Sequence, residues 1–135
     1  MFVRAVLLVL AVAGVVWAAL DLSGVIAYRQ ARDIVYASHT LARGEIAQAR
    51  RLLRRAASTT PDQAVPVDGA VLSYRTGSSR DAERRADAVV HSEPANTLAW
   101  GWLLIATRQV DPTRSRQARA ALARLDPRAG APLGG

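Results

Sequence analysis

The chain of 135 residues contains no cysteine and no lysine, and only 5% of its residues are aromatic. The lack of cysteine excludes disulfides, thiol catalysis, cysteine-ligated metals and a bacterial lipoprotein anchor. With so few aromatic residues, a core must consist of Ala, Leu and Val, which are small and mostly compatible with helices. All 18 basic residues are arginines, and against 11 acidic residues they give a net charge of +7. This excess predicts attraction to anionic surfaces.

Recognisable catalytic motifs are also missing. His39 and His91 are the only histidines, and neither belongs to a catalytic or metal-binding pattern. No glycine-rich phosphate loop or zinc spacing is present. The carboxylates around Asp81 and Asp87 alternate with arginines, which solvated ion pairs explain. We therefore expect no enzyme, no cofactor and no metal, and no nucleic-acid binding because aromatic residues are not interleaved with the basic ones.

The N-terminal part of the chain is strongly apolar. Residues 5–20 (AVLLVLAVAGVVWAAL) carry no charge, and the apolar pattern resumes after Asp21. Sixteen residues rise about 24 Å as a helix, short of a hydrocarbon core of ~30 Å, so the span must extend towards Tyr28. We predict a membrane-spanning helix over residues 1–28, with Trp17 and Tyr28 as interfacial anchors.

A secretory signal peptide is the alternative reading of this segment, because a single arginine precedes the apolar stretch and Ala18 and Ala19 are small. We expect an uncleaved, single-pass anchor in the cell membrane. Arginines flank the span almost equally, with Arg4 before it and Arg29 and Arg32 after it. Because a very short N-terminal tail before a signal-like segment usually stays inside, we expect the rest of the chain on the extracytoplasmic side.

Residues 29–127 alternate helical patterns with turn signals, which predicts an all-α domain of three helical hairpins, followed by a disordered tail over 128–135. No Pro or Gly follows Gly24 in the first pattern, so the span and the first helix of the domain are expected to form one continuous helix. The expected helices are Gln30–Ala42, Glu45–Ala57, Ala64–Arg75, Ser79–His91, Thr97–Val110 and Thr113–Leu125.

Two segments of the domain share a skeleton 33 residues apart. They are GEIAQARRLLRRAASTTP (44–61) and GSSRDAERRADAVVHSEP (77–94), each opening on glycine and closing on proline. Between these ends, three small or apolar residues recur at the same offset. They are Ala49, Leu53 and Ala56 in the first segment and Ala82, Ala86 and Val89 in the second.

This skeleton resembles the tetratricopeptide repeat (TPR). In that pattern the glycine permits a sharp turn, the alanines let two helices approach closely, and the proline ends the second helix. Trp100, Leu103 and Leu104 resemble the start of a repeat, whereas the best packing trio of the third unit, Ala118, Leu122 and Leu125, comes three residues late. The resemblance implies a short α-solenoid of about three hairpins, and a generic antiparallel helical bundle is the alternative.

Two surfaces are candidates for binding. The resemblance implies a concave groove along the first helices of the units, at Ser38, Leu41, Val71, Tyr74, Arg75, Ile105, Arg108 and Gln109. Independently, four arginines share one helical face opposite the first packing trio and suit anionic headgroups or an acidic partner. They are Arg50, Arg51, Arg54 and Arg55.

From these features we expect a non-catalytic, membrane-anchored protein-interaction module. Its leading role would be an accessory, scaffold or assembly subunit of a bacterial membrane complex, which binds an integral membrane protein through the transmembrane helix and the repeat surface. The alternative is a receptor-like TPR module that binds a soluble peptide or protein in its concave groove.

Overall fold

The structure, a computed structural model, describes the backbone of residues 2–59 and 64–127, and their side chains from Val9 onward. The expected proline stop at Pro61 and the expected disordered tail lie outside these residues. The described part contains six α-helices and no β-strand, which confirms the all-α prediction. The helices are α1 (Phe2–Val35), α2 (Arg43–Thr59), α3 (Ala64–Arg75), α4 (Ser79–Ser92), α5 (Thr97–Thr107) and α6 (Pro112–Leu125).

Helix α1 joins the apolar N-terminal segment to the rest of the fold without a break, as predicted. Its stretch Val9–Val35 is long and apolar enough to cross a membrane. The side chains from Val9 to Leu22 are exposed, whereas one face is buried at Gly24, Ala27 and further on. Packing of α1 on the other helices thus begins before the boundary expected at residue 28.

The first turn differs from the prediction. Helix α1 ends at Val35 rather than Ala42, and a turn leads to α2 at Arg43. Two contacts explain the ends, because Arg75 donates to the carbonyl of Val35, and Glu45 accepts the Ala42 N–H at 2.8 Å. The second contact is half of a capping box, which fixes the start of α2.

The two glycines of the repeated skeleton have different conformations. Gly77 has a φ of +82° and follows α3. Its N–H bonds to the Tyr74 carbonyl at 3.0 Å and the Ser78 N–H to the Ser73 carbonyl at 2.9 Å, which is a Schellman motif. Gly44 instead lies in the first turn of α2 without a positive φ, so the predicted left-handed turn there is wrong. The longer connection before α2 makes that turn unnecessary.

The repeated trios form the core faces of α2 and α4, as predicted. All six side chains are buried, and α2 packs through Ala49, Leu53 and Ala56 against α1 and α3. In α6 the buried residues are Ala118, Ala121 and Leu122, whereas Leu125 is exposed. The third unit therefore buries a different set of positions from the one expected.

The helices are ordered in two rows. Each helix contacts the next along the chain, and α3 also contacts both α1 and α5. Within the described residues, the backbones of α2 and α4, and those of α4 and α6, do not approach closely, although an ion pair between Asp87 and Arg114 joins α4 to α6. The first helices, α1, α3 and α5, therefore form a row in contact, and the second helices lie with wider backbone spacing on its other side.

Candidate functional site

The row of α1, α3 and α5 carries an exposed aromatic and apolar surface. Tyr36 follows α1, Tyr74 lies on α3 and Ile105 on α5, and each of them is 40–47% exposed. Trp102 is half-buried, and its ring lies 6.0 Å from that of Tyr74 at an interplanar angle of 58°. This contact joins α3 to α5. We call Tyr36, Tyr74, Trp102 and Ile105 the inner face.

Beside Tyr36 of the inner face, a buried carboxylate of α3 contacts two residues from the end of α1. Asp68 of α3 is 2% exposed and accepts a hydrogen bond from the Tyr36 hydroxyl at 2.7 Å. Its other oxygen lies 3.7 Å from Nε of Arg32, whose guanidinium is 5.4 Å from the centre of the Tyr36 ring. Since a buried charge is costly without partners, these contacts fix how α1 meets α3.

The surroundings of the Tyr36 hydroxyl raise its pKa, so it loses its proton at a higher pH than a free tyrosine does. Burial raises the pKa of its hydroxyl from 10.0 to about 12, the hydrogen bond and the negative charge of Asp68 act the same way, and Arg32 opposes them. Because folding raises this pKa, the stabilisation is complete below pH 10 and is lost as the pH rises towards 12. We expect Tyr36→Phe to remove a tyrosinate absorbance step with a midpoint near 12. Tyr74→Phe is the control, and loss of that step in the control instead would contradict the assignment.

The guanidinium of Arg75 forms hydrogen bonds within the protein. Its guanidinium donates to the carbonyl of Val35 and, at 2.8 Å, to that of His39. Both carbonyls belong to the end of α1 and the turn after it. Arg75 therefore caps α1 from α3, where the TPR resemblance implied a groove residue.

The other predicted groove positions differ in their exposure to solvent and in the elements on which they lie. Val71 is buried in the core among residues of α1, α2 and α3, although it lies only three residues before Tyr74 on the same side of α3. Ser38 and Leu41 lie in the turn before α2, not on a helix. Arg108 and Gln109 are exposed just after α5. Of the eight predicted positions, the structure places only two, Tyr74 and Ile105, on the inner face.

Sequence reasoning missed four members of this region, one of which is Tyr36, just after α1. Arg32, Asp68 and Trp102 lie on α1, α3 and α5, the first helices of the three hairpins. A signal was present for Asp68, because a single acid stands in the otherwise apolar AVPVDGAVL. Such a charge within a buried helix predicts a partner nearby.

The predicted basic face of α2 is exposed to solvent. Arg50, Arg51, Arg54 and Arg55 all point away from the core, opposite the buried trio of the same helix. No ion pair within the described residues involves any of these four arginines. Their charges are therefore available to an anionic surface or ligand.

The two histidines each lie beside a carboxylate near the end of a helix. Among the described residues, no group of three His, Asp or Glu side chains is placed to hold a metal ion. His39 contacts Glu45 at 3.1 Å, and His91 lies 3.4 Å from Asp87. The backbone hydrogen bond from Ala42, followed by the one from His39, lowers the pKa of Glu45. These pairs stabilise helix ends.

Known proteins offer no guide to these surfaces. Comparisons with protein-family models, curated proteins and solved structures found no match. A function is therefore inferred from the geometry of the inner face, the basic face of α2 and helix α1.

Proposed function

We propose that this chain is a non-catalytic, single-pass membrane-anchored interaction module, an accessory, scaffold or assembly subunit of a bacterial membrane complex. In this proposal α1 crosses the cell membrane, and the remaining helices present the inner face to an integral membrane partner. The helical domain lies on the extracytoplasmic side.

The division of α1 into a bare and a packed part supports this proposal most strongly. From Phe2 to Leu22 the helix rises about 32 Å, close to the ~30 Å of a hydrocarbon core. In this part the side chains from Val9 onward are exposed, with Val15 at 70% and Trp17 at 75%. An exposed apolar surface of this size is typical of a contact with protein or membrane, and its length matches the thickness of the hydrocarbon core.

The second part of the same helix holds the domain. Gly24, Ala27, Ala31 and Val35 form one buried stripe at helical spacing. Because no break separates this stripe from the bare part, the domain would be held rigidly at the membrane surface. A partner that spans the membrane could then contact the span and the domain together.

The arrangement of the helices supports a short TPR-like solenoid. In a curved array, the helices on the inside of the curve lie closer together than those outside. Contacts of α3 with both α1 and α5, together with the wider backbone spacing of α2, α4 and α6, fit an inside row made of the first helices. The inner face would then line the concave side.

The proposal is tested by affinity purification of the full chain from native membranes in a mild detergent, with the stoichiometric partners identified. We expect one stable integral membrane protein. If the chain is recovered alone, the accessory-subunit proposal is overturned.

A charge on the inner face should disrupt this association. Ile105 is 41% exposed, and Ile105→Glu would place a carboxylate where a partner covers the face. Because burying an unpaired charge is costly, we expect recovery of the partner to fall about tenfold or more. Leu125→Glu is the matched control, because Leu125 is 40% exposed on α6, away from this face. Equal losses in both variants would place the contact elsewhere.

A receptor-like module is the second candidate, favoured by the exposed aromatic pair Tyr74 and Trp102. Aromatic residues are enriched where proteins bind one another. In that case the protein would be isolated without a membrane partner, and a soluble peptide or protein would protect the inner face from hydrogen exchange.

A further inference from the structure

A cleft lies over α3, between α2 and α4. Its volume is about 250 Å³. The floor and walls are largely apolar, formed by Leu53, Val65 and Leu72 among others, and three arginines stand around it: Arg50 and Arg54 from α2 and Arg85 from α4. Among the described residues that line the cleft, none is acidic.

Gly69 of α3 lies in the lining of the cleft and carries no side chain. A Cβ added at Gly69 would lie 3.3 Å from Nη1 of Arg85, so the guanidinium rests directly over the glycine. The Ser73 hydroxyl, also in the lining, donates to the Gly69 carbonyl at 3.0 Å. The opening therefore combines a shallow apolar floor with a guanidinium held above it.

Among the described residues, no acidic side chain forms an ion pair with any of the three arginines. The side chains of Arg50, Arg54 and Arg85 form no hydrogen bond or ion pair with a described residue. Three guanidinium groups around one opening repel each other mildly, and a single anion between them would relieve that repulsion. Guanidinium groups bind phosphate through paired hydrogen bonds, which suits a phosphate group here.

The position of α2 places this cleft near the end of the bare part of α1. Ser58 and Thr59, at the end of α2, share a depression with Trp17, Leu20 and Asp21 of α1. Arg54 lies about 8 Å along α2 from Thr59. Headgroup layers are about 5–8 Å thick on each side of the hydrocarbon core, so Arg54 lies within their reach.

We propose that this cleft binds the headgroup of an anionic phospholipid, with the phosphate between Arg50, Arg54 and Arg85 and the apolar floor covered by the adjoining glycerol and upper acyl chain. Both features of the cleft match an amphiphile, whereas a free anion would leave the apolar floor uncovered. This proposal rests on the membrane anchorage in the proposed function but not on any protein partner. The lipid measurement and the co-purification can therefore fail independently.

The test uses the full chain in a nonionic detergent, with thermal stabilisation measured during titration with short-chain phosphatidylglycerol. Short-chain phosphatidylcholine, inorganic phosphate and an acidic Glu-rich peptide are titrated in parallel. We expect phosphatidylglycerol to bind at least about tenfold more tightly than any of these. Equal binding of the two lipids, or of phosphate alone, would overturn the lipid assignment, and preferential binding of the peptide would assign the cleft to an acidic protein segment instead.

Charge-matched variants separate the cleft from general attraction. The variant R50Q/R54Q/R85Q should lose selectivity for phosphatidylglycerol by about tenfold or more. The control R80Q/R119Q/R124Q removes the same charge from exposed arginines outside the cleft and outside the basic face of α2, and it should keep this selectivity. If both variants lose binding equally, the attraction is diffuse and the cleft is not a site.

A second variant keeps the test decisive if the triple variant does not fold. Gly69→Leu leaves all the arginines and the net charge in place, and its side chain occupies the floor and displaces Arg85. We expect it to lose selectivity for phosphatidylglycerol to a similar extent while its helical content stays unchanged. Full retention of selectivity in a folded Gly69→Leu protein would overturn the proposal.

Discussion

Replacing Leu103 by alanine is expected to lower the free energy of unfolding by about 3 kcal/mol, within the range of 2–5 kcal/mol for such changes in a core. Leu103 of α5 is fully buried, in a cluster that includes Val67, Val89 and Ala118. These neighbours come from α3, α4 and α6. A cavity at this position would therefore loosen the packing between α5 and the three helices around it.

The composition of the core explains why the expected loss of unfolding free energy is large. Eleven of the 21 buried hydrophobic residues in the described part of the chain are alanines, which have little side chain to bury. Each buried leucine therefore supplies a larger share of the apolar area removed from water. Alanines on helices in close contact are also poorly able to move into a cavity, so little of the cost would be relieved.

Leu98→Ala is the matched control, because it makes the same change on the same helix at a residue that is 53% exposed. We expect less than about 0.5 kcal/mol there. Urea denaturation of the full chain in a nonionic detergent, followed by tryptophan fluorescence, measures both. Similar losses for the two variants would show that α5 does not pack through Leu103 as the structure describes.

The sequence predicted helix number and core faces well, because both depend on local periodicity. The spacing of Ala49, Leu53 and Ala56 predicts one face of a helix, and the structure buries that face. It predicted the end of α1 poorly, since nothing between Val35 and Ala42 breaks a helical pattern. That end is fixed by Arg75, which is distant in sequence and becomes a neighbour only in the fold.

The inner face was only partly predictable for the same reason. Tyr74 and Ile105 follow from the TPR resemblance, which gives positions along each hairpin. Val71 does not fit, because the rotation of α3 about its axis depends on packing against α2 and α1. The contact of Tyr36 with Asp68 likewise joins residues whose partnership no local pattern reveals.

Replacing Arg75 by methionine is expected to lower the free energy of unfolding by about 2 kcal/mol, since hydrogen bonds to charged groups contribute about 1.5–3 kcal/mol. Methionine keeps an apolar stem but no donor. The Val35 carbonyl would lose its partner at a fully buried residue, and the His39 carbonyl would lose one at the surface. The positive charge that complements the C-terminal end of α1 would also be lost.

Arg108→Met is the control, because Arg108 lies at the equivalent position 33 residues later and is exposed. The side chain of Arg108 has no hydrogen bond or ion pair within the described residues. We therefore expect the free energy of unfolding to change by less than about 0.5 kcal/mol. Urea denaturation compares the two variants, and equal losses would contradict the capping role of Arg75. The two arginines lie 33 residues apart at the ends of α3 and α5, but the end of α1 lies within reach of Arg75. A difference between the two variants would therefore show that Arg75 joins the membrane-spanning candidate α1 to α3 through a contact that this spacing alone does not specify.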